Sequence, residues 1–129
     1  MNELKCYYAH SMFSYGSTIE EQDLQALFRM GFEVINPNTP AIQKGCEVFM
    51  KNFGRDRVME YFNAIVEDCQ VFAFRGLPDG TILSGIATEL RTAKEKGLII
   101  IEFPSMVDKR MVDYKETKQY LIELGHYKI

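Results

Sequence analysis

An α/β fold is what the sequence predicts: an open, mainly parallel sheet of four or five strands with helices on both faces. Three observations predict it. The runs CQVFAFRG (69–76) and LIIIEF (98–103) are short, continuous and apolar, as strands buried on both faces are. The segments between such runs repeat apolar residues at helical spacing. Strand and helix signals then alternate along the chain, the pattern of parallel strands joined by helical crossovers.

The first strand is LKCYYA (4–9). STIEEQDLQALFRMG (17–31) follows, where Ser17 and Glu20 form a capping box, Ile19, Leu24, Leu27 and Phe28 are the expected inward face, and Gly31 closes the helix. FEVINPN (32–38) is a second strand ended by Pro37, and Thr39 with Pro40 opens the next helical stretch. Gly54 breaks that stretch, and residues 55–67 resume it with Val58, Tyr61, Phe62 and Ile65 on one side. After the core strand at 69–76, LPDG makes a turn, residues 82–96 form a helix ended by Gly97, and the fourth strand runs to Pro104. Asp113 and Glu116 form a second capping box, before TKQYLIELG with Gly125 as its stop. A short strand at 109–112 is a weaker expectation.

At 129 residues the chain, 1–129, is expected to be one domain with one sizeable core. A net charge of -3 gives no basic field to hold a nucleic-acid polymer or an anionic membrane surface, which leaves a small molecule as the expected partner. No apolar run is long enough to span a membrane and MNELK lacks the pattern of a signal peptide, so a cytoplasmic protein is expected. Cys6, Cys46 and Cys69 form no even set and no CxxC pair, and read as buried free thiols. His10 and His126 stand apart without ligand spacing, so no metal is expected, and no cofactor.

Ligands of open α/β sheets bind beyond the carboxyl ends of the strands, so the loops after the strands are where chemistry is sought. The first of them, AHSMFSYGS, offers Ser11, Ser14, Gly16 and Ser17 before a helix N-terminus, a setting for a phosphate or for sugar hydroxyls. The same serines equally serve as caps and turns. Tyr8 and His10 lie at the strand exit, where a ring can pack on a base or belong to the core. In TILSGIATELRTA (81–93), Ser84 supplies a hydroxyl, Gly85 lets a ligand approach the backbone, and Glu89 stands on the first turns of the helix. Side chains tilt toward a helix's N-terminus, so Glu89 is expected to point back at the loop and to stay ionised beside the positive helix end. That suits a nucleophile or a stabiliser of positive charge, and it also suits an acid that merely steadies the helix.

These residues resemble the nucleoside 2-deoxyribosyltransferases and related nucleotide N-glycosidases, which share a flavodoxin-like fold. YYAHSMFS, VEDCQVFAF and GTILSGIATELRTAKEKG carry the resemblance, in the family's order, between residues 6 and 101. It implies that Glu89 attacks the anomeric carbon of a (deoxy)nucleoside or nucleoside monophosphate. It implies further that Tyr8, His10 and Ser11 match the sugar pocket, and that Ser84 lies near the phosphate or sugar. Two departures stand out. The family's second carboxylate has Glu60 as its nearest counterpart, with Tyr61 and Asn63 competing, and Asp79 is the candidate acid before the glutamate loop. The C-terminal ELGHYKI has no clear counterpart of the element that completes a neighbour's pocket in the transferases, so hydrolysis is as well supported as transfer. A non-catalytic nucleotide-binding domain and a flavin electron carrier are the rival expectations. Met50, Phe53, Met59 and YFNAIVEDCQVF offer more apolar helix surface than one small sheet must cover, and a homodimer or larger assembly is expected.

Overall fold

The structure is a computed structural model, describing residues 3–104, 113–123 and 125. In chain order the elements are β1 (Lys5–Ala9), α1 (Thr18–Arg29), β2 (Glu33–Ile35), α2 (Pro40–Phe53), α3 (Val58–Glu67), β3 (Val71–Arg75), α4 (Ser84–Glu95), β4 (Ile99–Phe103) and α5 (Tyr114–Glu123). The expected α/β architecture is present: the four strands pair in the order β2-β1-β3-β4, every pair parallel. The weak strand expected at 109–112 lies outside the described residues.

Strand alternation divides the core into two layers, because successive side chains leave a strand on opposite faces. Tyr7, Ala9, Phe72 and Phe74 point to one face, where Val66 of α3 and Ile86 and Ala93 of α4 cover them. Cys6, Tyr8, Val71 and Ala73 point to the other, where Leu27 and Leu24 of α1 pack. The register Tyr7↔Phe72 and Tyr8↔Ala73 places each tyrosine beside a partner on its own face. Tyr7 and Phe72 stack at 5.8 Å between ring centroids, and each fully buried aromatic contributes roughly 1.5–3 kcal/mol through area removed from water. The three cysteines are free and buried.

α1 departs from its expected face. Phe28, expected to point inward, is 74% exposed, while Glu20 and Asp23 are buried beside Leu27. A stripe drawn through the apolar residues alone is rotated off the true one, because the two acids have partners elsewhere in the chain that offset their desolvation. Gly54, at φ +97°, separates α2 from α3 as its position predicts, since this left-handed backbone is one that side-chain-bearing residues rarely adopt. Among the described residues no helix is long and apolar enough to cross a membrane.

Candidate functional site

β1 and β3 are neighbours at the centre of the sheet, and their following helices, α1 and α4, leave on opposite faces. The loops after the two strands therefore part and leave a crevice, the switch-point position at which open α/β sheets take ligands. A cavity of about 440 Å³ occupies it. The loop after β1 supplies His10, Ser11, Met12 and Tyr15 to its wall, α2 supplies Gln43 and Cys46, α3 supplies Met59 and Phe62, and the start of α4 supplies Ser84, Gly85 and Glu89. α4 begins at Ser84, and its N-cap residue, Leu83, makes no side-chain cap bond.

Glu89 is the acid of this cavity. It is 6% exposed, and its Oε2 is buried without a hydrogen-bond partner among the described residues. Burial pushes its carboxyl up to about 7, with interaction with the Tyr7 hydroxyl working the other way. The expectation that the helix end keeps Glu89 firmly ionised is not met: burial raises the carboxyl, because a charge in a poorly hydrated wall loses most of its solvation and the Tyr7 hydroxyl offsets only part of that. Tyr7 and Tyr15 feel the same carboxylate. Burial first, and then Glu89, raises both phenols, Tyr15 to about 12.

The wall formed by the loop after β1 is fixed from behind by a second acid. Glu20 Oε2 lies 2.6 Å from His10 Nε2, the Gly16 N–H donates to its Oε1 at 3.0 Å, and the Asn38 amide donates to both oxygens at 3.1 and 3.3 Å. Burial pushes the Glu20 carboxyl up, but these bonds together outweigh it and hold the group below its ordinary value. The other nitrogen of His10 lies 3.1 Å from the Tyr8 carbonyl, and its ring stacks on Tyr8 at 3.9 Å. Behind it, Arg75 grips Asp23 with two bonds, at 2.6 and 2.7 Å, while the Tyr8 hydroxyl donates to the same carboxylate.

The residues singled out from the sequence are therefore only partly brought together. His10, Ser11, Ser84, Gly85 and Glu89 share the cavity. Tyr8 does not line it: one step along the strand turns its side chain to the α1 face, where it is fully buried against Asp23, and Tyr7 takes the cavity side instead. Ser14 and Ser17 donate to the Ser11 and Ser14 carbonyls, Ser11 Oγ accepts from the Phe13 N–H, and the Gly16 N–H is given to Glu20, so the loop's polar groups hold the loop itself. Glu60 is on the surface, paired with Arg57 at 2.6 Å, which holds its carboxyl below the usual value. Asp79 sits in an exposed turn, accepting from the Thr81 N–H at 2.9 Å. Neither lines the cavity, and nor does Asn63. Glu60→Gln and Asp79→Asn are accordingly expected to leave any turnover within about twofold of the parent; a loss of a hundredfold or more in either would put a second acid at the site.

Tyr7, Tyr15, Gln43 and Cys46 are members of the wall that the sequence reading missed. Strand parity signalled only that Tyr7 and Tyr8 face opposite sides of the sheet, not which of them faces the cavity. For Gln43 and Cys46 there was no signal, because α2 is brought to the cavity by its packing on α3. Compared with protein-family models the sequence matches none, and no curated protein matches it.

Proposed function

We propose that the cavity binds a (deoxy)nucleoside or nucleotide and that Glu89 acts as the nucleophile in cleaving or transferring its N-glycosidic bond. The observation that carries this reading is a buried carboxylate with an unpartnered oxygen, in a cavity at the switch point of a parallel sheet. A desolvated carboxylate is basic and nucleophilic once ionised, and its charge acts strongly on the oxocarbenium-like carbon of the transition state. Cavity volume fits a ligand of this size, and the apolar wall of Met12, Met59 and Phe62 offers faces for a planar base. The nucleophile must be ionised, so base release is expected to rise with pH along a limb centred near 7, where burial has moved Glu89. Nucleosides and their monophosphates, incubated with the protein and analysed by chromatography for free base between pH 5 and 9, test both parts. A rate independent of pH through that limb would remove Glu89 from the ionising role.

A second reading, binding without turnover, has one observation in its favour: Glu89 is the only carboxylate among the described residues lining the cavity. Calorimetric binding with no base released would select it. Hydrolysis and transfer are separated by adding a second free base and looking for the exchanged nucleoside.

Self-association belongs to the same proposal. Val48 and Phe53 on α2 are about half exposed, an apolar surface of the kind that a second copy covers. Light scattering at micromolar concentration is expected to give at least twice the chain mass, and the mass of a single chain would withdraw the homodimer.

A further inference from the structure

If Glu89 attacks the sugar, something must take charge from the base that leaves, and no second carboxylate lines the cavity among the described residues. Of the remaining polar side chains, Ser84 stands on α4 with Glu89, Ser11 accepts from the Phe13 N–H, and most of the others are committed. His10 has both nitrogens against oxygens of Glu20 and Tyr8, the Gln43 amide donates to the Pro37 carbonyl at 2.8 Å, and the Tyr7 hydroxyl interacts with Glu89 itself. Cys46 is a weak donor, its thiol raised by burial. Tyr15 is different. It closes the turn at Met12–Ser14, its N–H bonded to the Met12 carbonyl at 3.1 Å, and its ring rests on His10 at 4.9 Å, so the side chain is placed by groups that are themselves fixed. Its hydroxyl makes no hydrogen bond among the described residues, and Tyr15 lines the same cavity as Glu89 from a different element, near enough to feel its charge.

We propose that Tyr15 is a catalytic residue whose hydroxyl donates a hydrogen bond to the departing base while Glu89 attacks C1′, an assignment that rests on the glycosidic reading above. An electron pair of the Glu89 carboxylate forms the O–C1′ bond as the C1′–N bond breaks, and the pair of that bond leaves on the base nitrogen. The Tyr15 hydroxyl stabilises the resulting anion, which then takes a proton from water to give free base and hydroxide. Hydroxide cleaves the glycosyl ester, returning the sugar and the Glu89 carboxylate, so that the sum is nucleoside plus water to base plus sugar. The phenol stays protonated throughout the neutral range, as a hydrogen-bond donor must, because burial and the nearby acids raise it to about 12.

Two substrates separate this role from a structural one. 2′-Deoxyinosine loses its base as an anion, whereas 7-methyl-2′-deoxyguanosine loses a neutral base that needs no donor. Tyr15→Phe keeps the ring on His10 and is expected to lower kcat/KM at least about tenfold for the first and less than about threefold for the second, with an unchanged melting temperature. Equal losses on both substrates, or no loss on either, with the parent protein active, would overturn the assignment and leave the glycosidic reading standing. If the parent releases base from neither substrate, the glycosidic reading falls and this assignment with it.

Discussion

Glu89→Gln is expected to lose at least about a hundredfold in base release and to become more stable than the parent protein above pH 7. The two effects have one cause. The carboxyl of Glu89 is raised from 4.5 to about 7 by burial, so the folded protein holds the proton more tightly than the unfolded chain. The stability contributed by that proton is complete below the unfolded value near 4.5 and is lost as pH rises through about 7. The loss is on the order of 3 kcal/mol. Glutamine has nearly the same volume and carries no charge to desolvate, so the variant escapes the loss. Melting curves should coincide near pH 4 and separate by several degrees in favour of the variant at pH 8.5. An acid that merely steadied a helix end would behave in the opposite way, since removing it destabilises by roughly 0.3–1 kcal/mol at neutral pH.

Asp23→Ala is expected to destabilise the fold by about 3–5 kcal/mol. Asp23 and Arg75 are both buried, at 4% and 8% exposure, and the guanidinium spans both carboxylate oxygens. Removing the acid leaves a cation enclosed beneath α1 and the Tyr8 hydroxyl without its acceptor. Denaturant unfolding of the single variant, and of Asp23→Leu combined with Arg75→Met, separates the value of the pair from the penalty of breaking it. The double variant is expected to recover most of the loss, because two apolar side chains leave no charge unmatched. A single variant within about 1 kcal/mol of the parent would mean that solvent reaches Arg75 and that the pair is not an enclosed one.

The order of strands and helices was legible because each element announces itself locally. Ser17 caps α1 by accepting from the Glu20 N–H, Gly54 at positive φ separates two helices, and uninterrupted apolar residues mark β3. The place of Glu89 in the cavity was legible for a related reason: an acid a few residues into a helix that follows a central strand falls near the switch point. Its ionisation was not legible. Spacing along the chain places the carboxylate near a helix end, but the water around it depends on Tyr7, Cys46 and Phe62, which arrive from three other elements. Tyr8 and Tyr7 show the same limit at the scale of one residue, since sequence order alone does not say which of two adjacent tyrosines faces α4. Glu20 carried a double meaning. The capping box made it a helix-start residue, yet its side chain spends its oxygens on His10, Gly16 and Asn38, and that clasp became visible only once the β1 exit and the loop after β2 were side by side.

The most direct measurement of the central claim is the mass of the protein after brief incubation with a deoxynucleoside and an acid quench, followed by proteolysis. The account predicts a fraction of chains heavier by one deoxyribosyl group, with the added mass on the peptide containing Glu89 and absent from Glu89→Gln. Base release by the parent protein with no adduct at Glu89, and with the same rate in Glu89→Gln, would contradict it.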